Sequence, residues 1–273
     1  MSDTVFDLLD DYLLTHDLKE GTAGYYRRMI GVLCQWAKRR VPRSEFTPDL
    51  VNRLLLDKQR SGLSSHYRKS LRSGLRALLV HHQGGALTGK LRPVRVDDLE
   101  IEVWSAAEVQ RLIDACLPIR DEHRRRWFQT IIAAGYFTGL SNCDLWALPR
   151  KAIDKTGIVR TKRAKTGKPI VARVPVAWLI ELQLLRPLAE GLVWGRPMSR
   201  EAFRRAIRKI VRRAGLKGSF KKLRKSCGTS IEMLYPGRGH IALGNTRAVF
   251  ERHYFGRKRL DDDPMGPEGL PVK

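Results

Sequence analysis

Cysteine is scarce in this chain, with only Cys34, Cys116, Cys143 and Cys227 among 273 residues. No two form a Cys-x-x-Cys pair and no histidine stands at zinc spacing, so the sequence offers neither a disulfide framework nor a metal centre, and the thiols are expected to be reduced and structural. No motif calls for a cofactor or a small-molecule substrate. Long apolar runs are also missing, since none approaches the roughly 20 residues that span a bilayer. The opening Met1-Ser2-Asp3 lacks the basic start of a signal peptide. These absences lead to the expectation of a cytoplasmic protein with no membrane partner.

Acidic residues are the third shortage. Asp and Glu number 28 against 52 Lys and Arg, a formal net charge of +24. Between positions 160 and 225, twenty basic residues meet only Glu181, Glu190 and Glu201, a local excess of +17. An ordinary solvated surface would intersperse acids, and a membrane-binding patch would carry an apolar anchor. The imbalance instead implies a nucleic-acid partner held through phosphate contacts and counterion release. Aromatic residues do not cluster with the basic ones as stacking platforms would, which makes duplex DNA the expected partner rather than a single strand.

What is present is mainly helical periodicity. A hydrophobic share of 42% suffices for one or two cores. Residues 1–82 read as a helical domain: Leu8, Tyr12 and Leu13 mark a first helix, and Tyr26, Met29, Ile30 and Leu33 a second. Thr47-Pro48 opens a third helix and Ser64-Ser65 a fourth. The outer face of the fourth carries Arg68, Arg72 and Arg76 at four-residue steps, a row suited to a phosphate backbone. Residues 83–102 mix Gly, Pro and basic residues as a linker does.

A second domain, 103–259, starts with the capping box Ser105-x-x-Glu108. A buried helix over Trp127 to Phe137 is closed by Gly139, and another is expected from Asp144 to Leu148, stopped by Pro149. Short β-rich runs around Lys165-Thr166-Gly167-Lys168 predict a hairpin, so the fold class is mainly α with a small β-sheet. Ser199 is the expected N-cap of a helix whose apolar stripe is Phe203, Ile207, Ile210 and Val211. Its opposite face offers Arg204, Arg205, Arg208, Lys209 and Arg212 to DNA. The stretch 260–273 reads as a flexible tail.

Four short motifs carry a resemblance. Thr138-Gly139-Leu140-Ser141 is followed by Asp144, Lys165 lies in a Gly turn, Lys221-Lys222-Leu223-Arg224 comes next, and Leu243-Gly244-Asn245 precedes Tyr254 by nine residues. In order and spacing they resemble the tyrosine recombinases, the phage integrase family, along nearly the whole chain. The resemblance implies a helical N-terminal core-binding domain and a catalytic domain that together clamp DNA, with self-association on it. It also implies DNA integration or site-specific recombination. Tyr254 would be the nucleophile, Arg224 a phosphate clamp, and Lys165 the acid that protonates the leaving oxygen.

Three positions depart from the family pattern. Ser141 stands where the first arginine belongs, Lys221 where a histidine does, and Asn245 where a second histidine does. Losing one preorganised donor costs roughly 3–4 kcal/mol, or 10² to 10³ in rate. Asn245 donates a hydrogen bond but moves no proton near neutral pH. The neighbouring arginines offered as replacements are Arg124, Arg125 and Arg126. Two functions therefore stand side by side: a recombinase with an altered site that still cleaves, and an inactive integrase-derived DNA binder that regulates or scaffolds.

Overall fold

The computed structural model describes residues 3–96, 101–185, 191–195 and 198–255. The expected tail, 260–273, and positions 256–259 lie outside the described residues. The chain divides into two compact units, Met1–Leu99 and Glu100–Lys273.

The first unit is built from α1 (Val5–Thr15), α2 (Glu20–Ala37), α3 (Pro48–Arg60) and α4 (Ser65–Gln83). Side-chain caps start three of them. The Thr4 hydroxyl accepts from the amide of Phe6, Thr47 from Leu50, and Ser64 from Tyr67, while Pro48 sits at the first helical position, where its missing N–H is no loss. Each helix buries one stripe, with Leu8, Ile30, Leu33, Leu54, Leu71 and Leu75 among the residues at its centre. Burial of such side chains contributes roughly 1.5–3 kcal/mol each, which is what makes these amphipathic segments a folded unit.

The second unit contains α5 (Ala106–Asp114), α6 (Glu122–Thr138), α7 (Asn142–Trp146), the strands β1 (Ile158–Lys162) and β2 (Pro169–Arg173), then α8 (Val176–Gln183), α9 (Arg200–Arg213), α10 (Lys221–Leu234), α11 (Gly239–Ala242) and α12 (Arg247–His253). The strands pair antiparallel, with Arg160 opposite Val171 and Lys162 opposite Pro169. The central helix α6 is buried along most of its length from Trp127 to Thr138. Aromatic edges pack at its start, Trp127 against Phe128 and Phe203, and the Trp127 indole N–H reaches the Trp194 carbonyl at 2.9 Å. A smaller cluster of Cys227, Leu243 and Phe250 joins α10 to the last two helices.

The expected capping box at Ser105, the Ser199 N-cap and the Gly139 terminator are all present. The short helix after Gly139 differs from expectation. It runs over Asn142–Trp146 because the Ser141 side chain, rather than a residue further on, caps it.

Candidate active site

The site grows from three chain reversals that meet around Leu243. The first lies at the end of α6, where Gly139 adopts φ 60°. A Cβ there would stand 2.5 Å from a Leu243 methyl and 3.1 Å from the Cys227 sulfur. Only glycine lets the chain turn this tightly against α10 and the segment after α11. Ser141 follows at once and closes a capping box with Asp144. Its amide and hydroxyl donate to Asp144 Oδ2 at 3.0 and 2.7 Å. The serine at the family's arginine position thus spends its hydroxyl on a helix cap.

The second reversal carries α10. Lys221 is exposed at the head of this helix, and Arg224, one turn on, is only 8% exposed. A desolvated guanidinium needs acceptors, and Arg224 finds them in the Gly139 carbonyl (2.5 Å), the Leu243 carbonyl (2.8 Å) and Asn245 Oδ1 (3.4 Å). The third reversal is Leu243-Gly244-Asn245, with Gly244 at φ 62°. A side chain at Gly244 would come within 2.8 Å of the Ile170 terminal methyl and 3.3 Å of Arg163 Nε. The Asn245 amide donates to the His240 carbonyl at 2.9 Å, which fixes the turn.

Tyr254 closes α12. Its backbone carbonyl accepts from the Thr229 hydroxyl at 3.0 Å, and its half-buried ring lies under the Arg224 guanidinium, 5.0 Å from centroid to Cζ. That separation is within range of a cation–π contact. The structure therefore brings Arg224, Asn245 and Tyr254 together. Lys165 sits exposed in the β1–β2 turn. His253 is exposed, and His240 serves through its backbone.

Arg163, absent from the residues that the motifs single out, joins this group. It follows β1 directly, and its side chain is 10% exposed. Nη2 donates to the same Leu243 carbonyl that Arg224 uses, and Nη1 lies 3.6 Å from Asp144 Oδ2. The next amide, Ala164, donates to Asp144 Oδ1 at 2.9 Å, so one carboxylate pins the hairpin to the start of α7. Burial, and after it the neighbouring charge of Arg224, pulls the Arg163 pKa below its usual value, opposed by Asp144 and Tyr254. Lys225 is likewise pulled down, first by burial and then by Lys222, with Tyr254 opposing. A sequence signal for Arg163 exists: strand alternation sets positions 159, 161 and 163 on one face, and Val159 is fully buried.

The replacements offered for the missing arginine are employed elsewhere. Arg126 pairs with Glu181 and Glu122, both at 3.1 Å, Arg125 reaches the Ile119 carbonyl at 3.5 Å, and Arg124 lies over Phe128 at 5.9 Å. All three are in the first turns of α6, roughly 20–22 Å of helix away from Gly139 at 1.5 Å per residue.

The two basic rows differ from each other. On α9, Arg204, Arg205, Arg208, Lys209 and Arg212 are all exposed opposite the buried Phe203, Ile207, Ile210 and Val211. Along α4, Arg76 is exposed, whereas Arg68 donates to the Leu63 carbonyl and Gln59, and Arg72 donates to the Arg92 and Leu91 carbonyls at 2.7 and 3.2 Å. Arg72 in particular ties down the segment that follows α4. Among the described residues no group of three His, Cys, Asp or Glu could hold a metal ion, and no helix is long and apolar enough to cross a membrane.

No family model matches the chain, and no curated protein matches it in sequence. Solved structures do match in three dimensions. A lambda integrase fragment, crystallised as a dimer bound to a COC′ core site, superposes with a TM-score of 0.71 at 17% identity over 89% of this chain and 95% of that one. The architecture is the tyrosine recombinase fold. A Tn1549 transposon integrase in complex with a circular intermediate DNA shares it at TM-score 0.71 and 13% identity, over 92% of this chain and 95% of that one. So does the XerH site-specific recombinase bound to a palindromic difH substrate, at 0.67 and 17%, over 88% and 78%. At these identities the likeness concerns the fold. In a tyrosine recombinase fold the expected mainly helical class with one small antiparallel sheet is accounted for.

Proposed function

We propose that this chain binds duplex DNA and cleaves and rejoins its strands through Tyr254, in DNA integration or site-specific recombination. The observation that carries the reading is the placement of the Tyr254 ring against the buried Arg224, 5.0 Å from ring to guanidinium, beside Asn245. The fold it shares with DNA-bound integrases and the exposed basic face of α9 support it. In this reading the phenolic oxygen attacks a phosphodiester phosphorus and the bond to the 5′-oxygen breaks. A 3′-phosphotyrosyl link forms, the phenolic proton leaves to solvent, and Lys165 protonates the departing 5′-oxygen. Arg224 stabilises charge on the non-bridging oxygens. The ester energy is kept in the phosphotyrosyl bond, so no nucleotide cofactor is needed.

The four-helix unit is assigned the role of core-binding domain, and residues 103–259 that of catalytic domain. Self-association on DNA is part of the reading, supported by the dimeric lambda integrase complex. A cytoplasmic location fits the four free cysteines. A second reading, a binder without cleavage, is favoured by the use of the Ser141 hydroxyl as a helix cap and of Arg224 by backbone carbonyls. One experiment separates them: nicked duplexes from DNA flanking the gene, incubated with wild type and Tyr254→Phe and run on a denaturing gel. A covalent adduct made by wild type alone supports cleavage; duplex binding without an adduct supports the binder; no salt-sensitive duplex binding overturns both.

A further inference from the structure

Two guanidinium groups, not one, meet at the Leu243 carbonyl. Arg224 and Arg163 both donate to it from different elements, and among the described residues Asp144 is the only carboxylate paired with either of them. Like charges brought together away from water repel, and a buried pair persists where something anionic offsets it. One carboxylate 3.6 Å from Arg163 leaves this group with a surplus positive charge. Two donors at the same place also lack acceptors: Arg163 Nε and Asn245 Nδ2 are buried and make no hydrogen bond. Buried donors without partners are rare in folded proteins and require an explanation. Here they flank Gly244, where a Cβ would stand 3.3 Å from Arg163 Nε and 2.8 Å from the Ile170 methyl, so any side chain at this position would crowd that donor.

We propose that Arg163, delivered by the β-hairpin, is the second phosphate-binding arginine of the site, acting with Arg224 and Asn245 on the phosphodiester that Tyr254 attacks. The inference rests on the strand-cleavage reading above for its catalytic role, while its anion-binding role stands on the geometry alone. Planar guanidinium groups suit the non-bridging oxygens of a phosphodiester, and two of them from separate elements hold it more firmly than one. Asp144 is then a positioning residue. Its Oδ2 holds the Ser141 cap and faces the Arg163 guanidinium, while its Oδ1 takes the Ala164 amide of the hairpin, so the arginine lost from position 141 is replaced from the hairpin. Burial explains why a guanidinium is needed: it keeps its charge where a lysine would be driven neutral.

The test uses the full-length protein in two arms. In the first, the rate of the Tyr254-dependent adduct on a nicked duplex is compared for wild type, Arg163→Gln, Arg163→Lys and, as a remote control, Arg111→Gln on α5, where the exposed guanidinium lies beside Glu108. Loss of one preorganised donor is expected to slow Arg163→Gln by about 10² to 10³-fold, with Arg163→Lys between it and wild type and Arg111→Gln near wild type. In the second, the rise in Tm produced by inorganic phosphate is measured on the same proteins; it is expected to shrink in Arg163→Gln and to persist in Arg111→Gln. The Tm without phosphate reports whether each variant folds. An unchanged adduct rate in Arg163→Gln overturns the proposal while leaving Tyr254 chemistry in place. Absence of any wild-type adduct overturns the catalytic reading; the phosphate arm then decides for Arg163, and equal Tm rises in Arg163→Gln and Arg111→Gln overturn the anion site as well.

Discussion

Replacing Asp144 with alanine should destabilise the second unit more than any other single polar substitution around the site. Its carboxylate, 4% exposed, accepts from the Ser141 amide and hydroxyl, from the Ala164 amide at 2.9 Å, and lies 3.6 Å from Arg163. Loss of a helix cap costs about 1 kcal/mol. Losing a hydrogen bond from the part-buried Ala164 amide to a charged acceptor costs about 1.5–3 kcal/mol. Stripping one partner from a buried ion pair costs about 3–5 kcal/mol, because the other charge is left uncompensated. These contributions share one side chain and do not add, so a total of about 4 kcal/mol is expected, near the last and largest of them. Urea titration followed by tryptophan fluorescence would measure it, with a second probe to confirm that the unit unfolds in one step. Asp144→Asn keeps an oxygen for the Ala164 amide but turns an N–H toward Arg163, so its loss should be smaller yet clear. A loss below about 1 kcal/mol for Asp144→Ala, within the range of an ordinary surface change, would show that this carboxylate does not organise the site.

Other outcomes follow from the same contacts. Gly139→Ala should cost at least about 2 kcal/mol, from left-handed strain and a Cβ pressed to 2.5 Å from the Leu243 side chain, and thermal melts would register it. Changing Arg204, Arg205, Arg208, Lys209 and Arg212 together to Gln should leave the Tm nearly unchanged, since all five are exposed. It should flatten the slope of log affinity against log salt by about 0.9 for each DNA phosphate no longer neutralised. Burial raises the thiols of Cys116 and Cys227 to about 12 from an ordinary 9.0. Because the folded pKa exceeds the unfolded one, their contribution to stability is intact below about pH 9 and is lost as pH climbs toward 12. Denaturant midpoints should fall across that window, and in the native protein at neutral pH a thiol reagent should modify Cys34 and Cys143 well before the two buried cysteines.

Local signals carried much of the fold. Thr47-Pro48, Ser64, Ser105 and Ser199 announce helix starts because a cap is written in two or three adjacent residues, and each is used that way. The hairpin was legible from its β-branched runs and Gly turn, and the order of the motifs led to Arg224, Asn245 and Tyr254, which do meet. Legibility ended where function depends on distant contacts. Arg163 touches Leu243 across 80 residues of sequence, and in the chain it is one of twenty basic residues in a crowded stretch. Its strand parity with Val159 was the available signal, overshadowed by the Lys-Thr-Gly-Lys turn beside it. Ser141 misleads in the opposite way. Set against a motif, it is a missing arginine; in the structure it is also the N-cap that starts α7. The α4 row shows the limit of reading charge alone, because Arg68 and Arg72 bond to their own chain as well as lying on a basic face.

Chemical identification of the nucleophile decides between cleavage and binding alone. Wild-type protein would be incubated with a nicked duplex that it binds, digested with nuclease and protease, and examined by mass spectrometry. The peptide containing Tyr254 is expected to carry a nucleotide linked through its 3′-phosphate, absent from Tyr254→Phe. DNA bound tightly and salt-sensitively with Tyr254 unmodified would contradict strand cleavage, leaving a recombinase fold that holds DNA without cutting it.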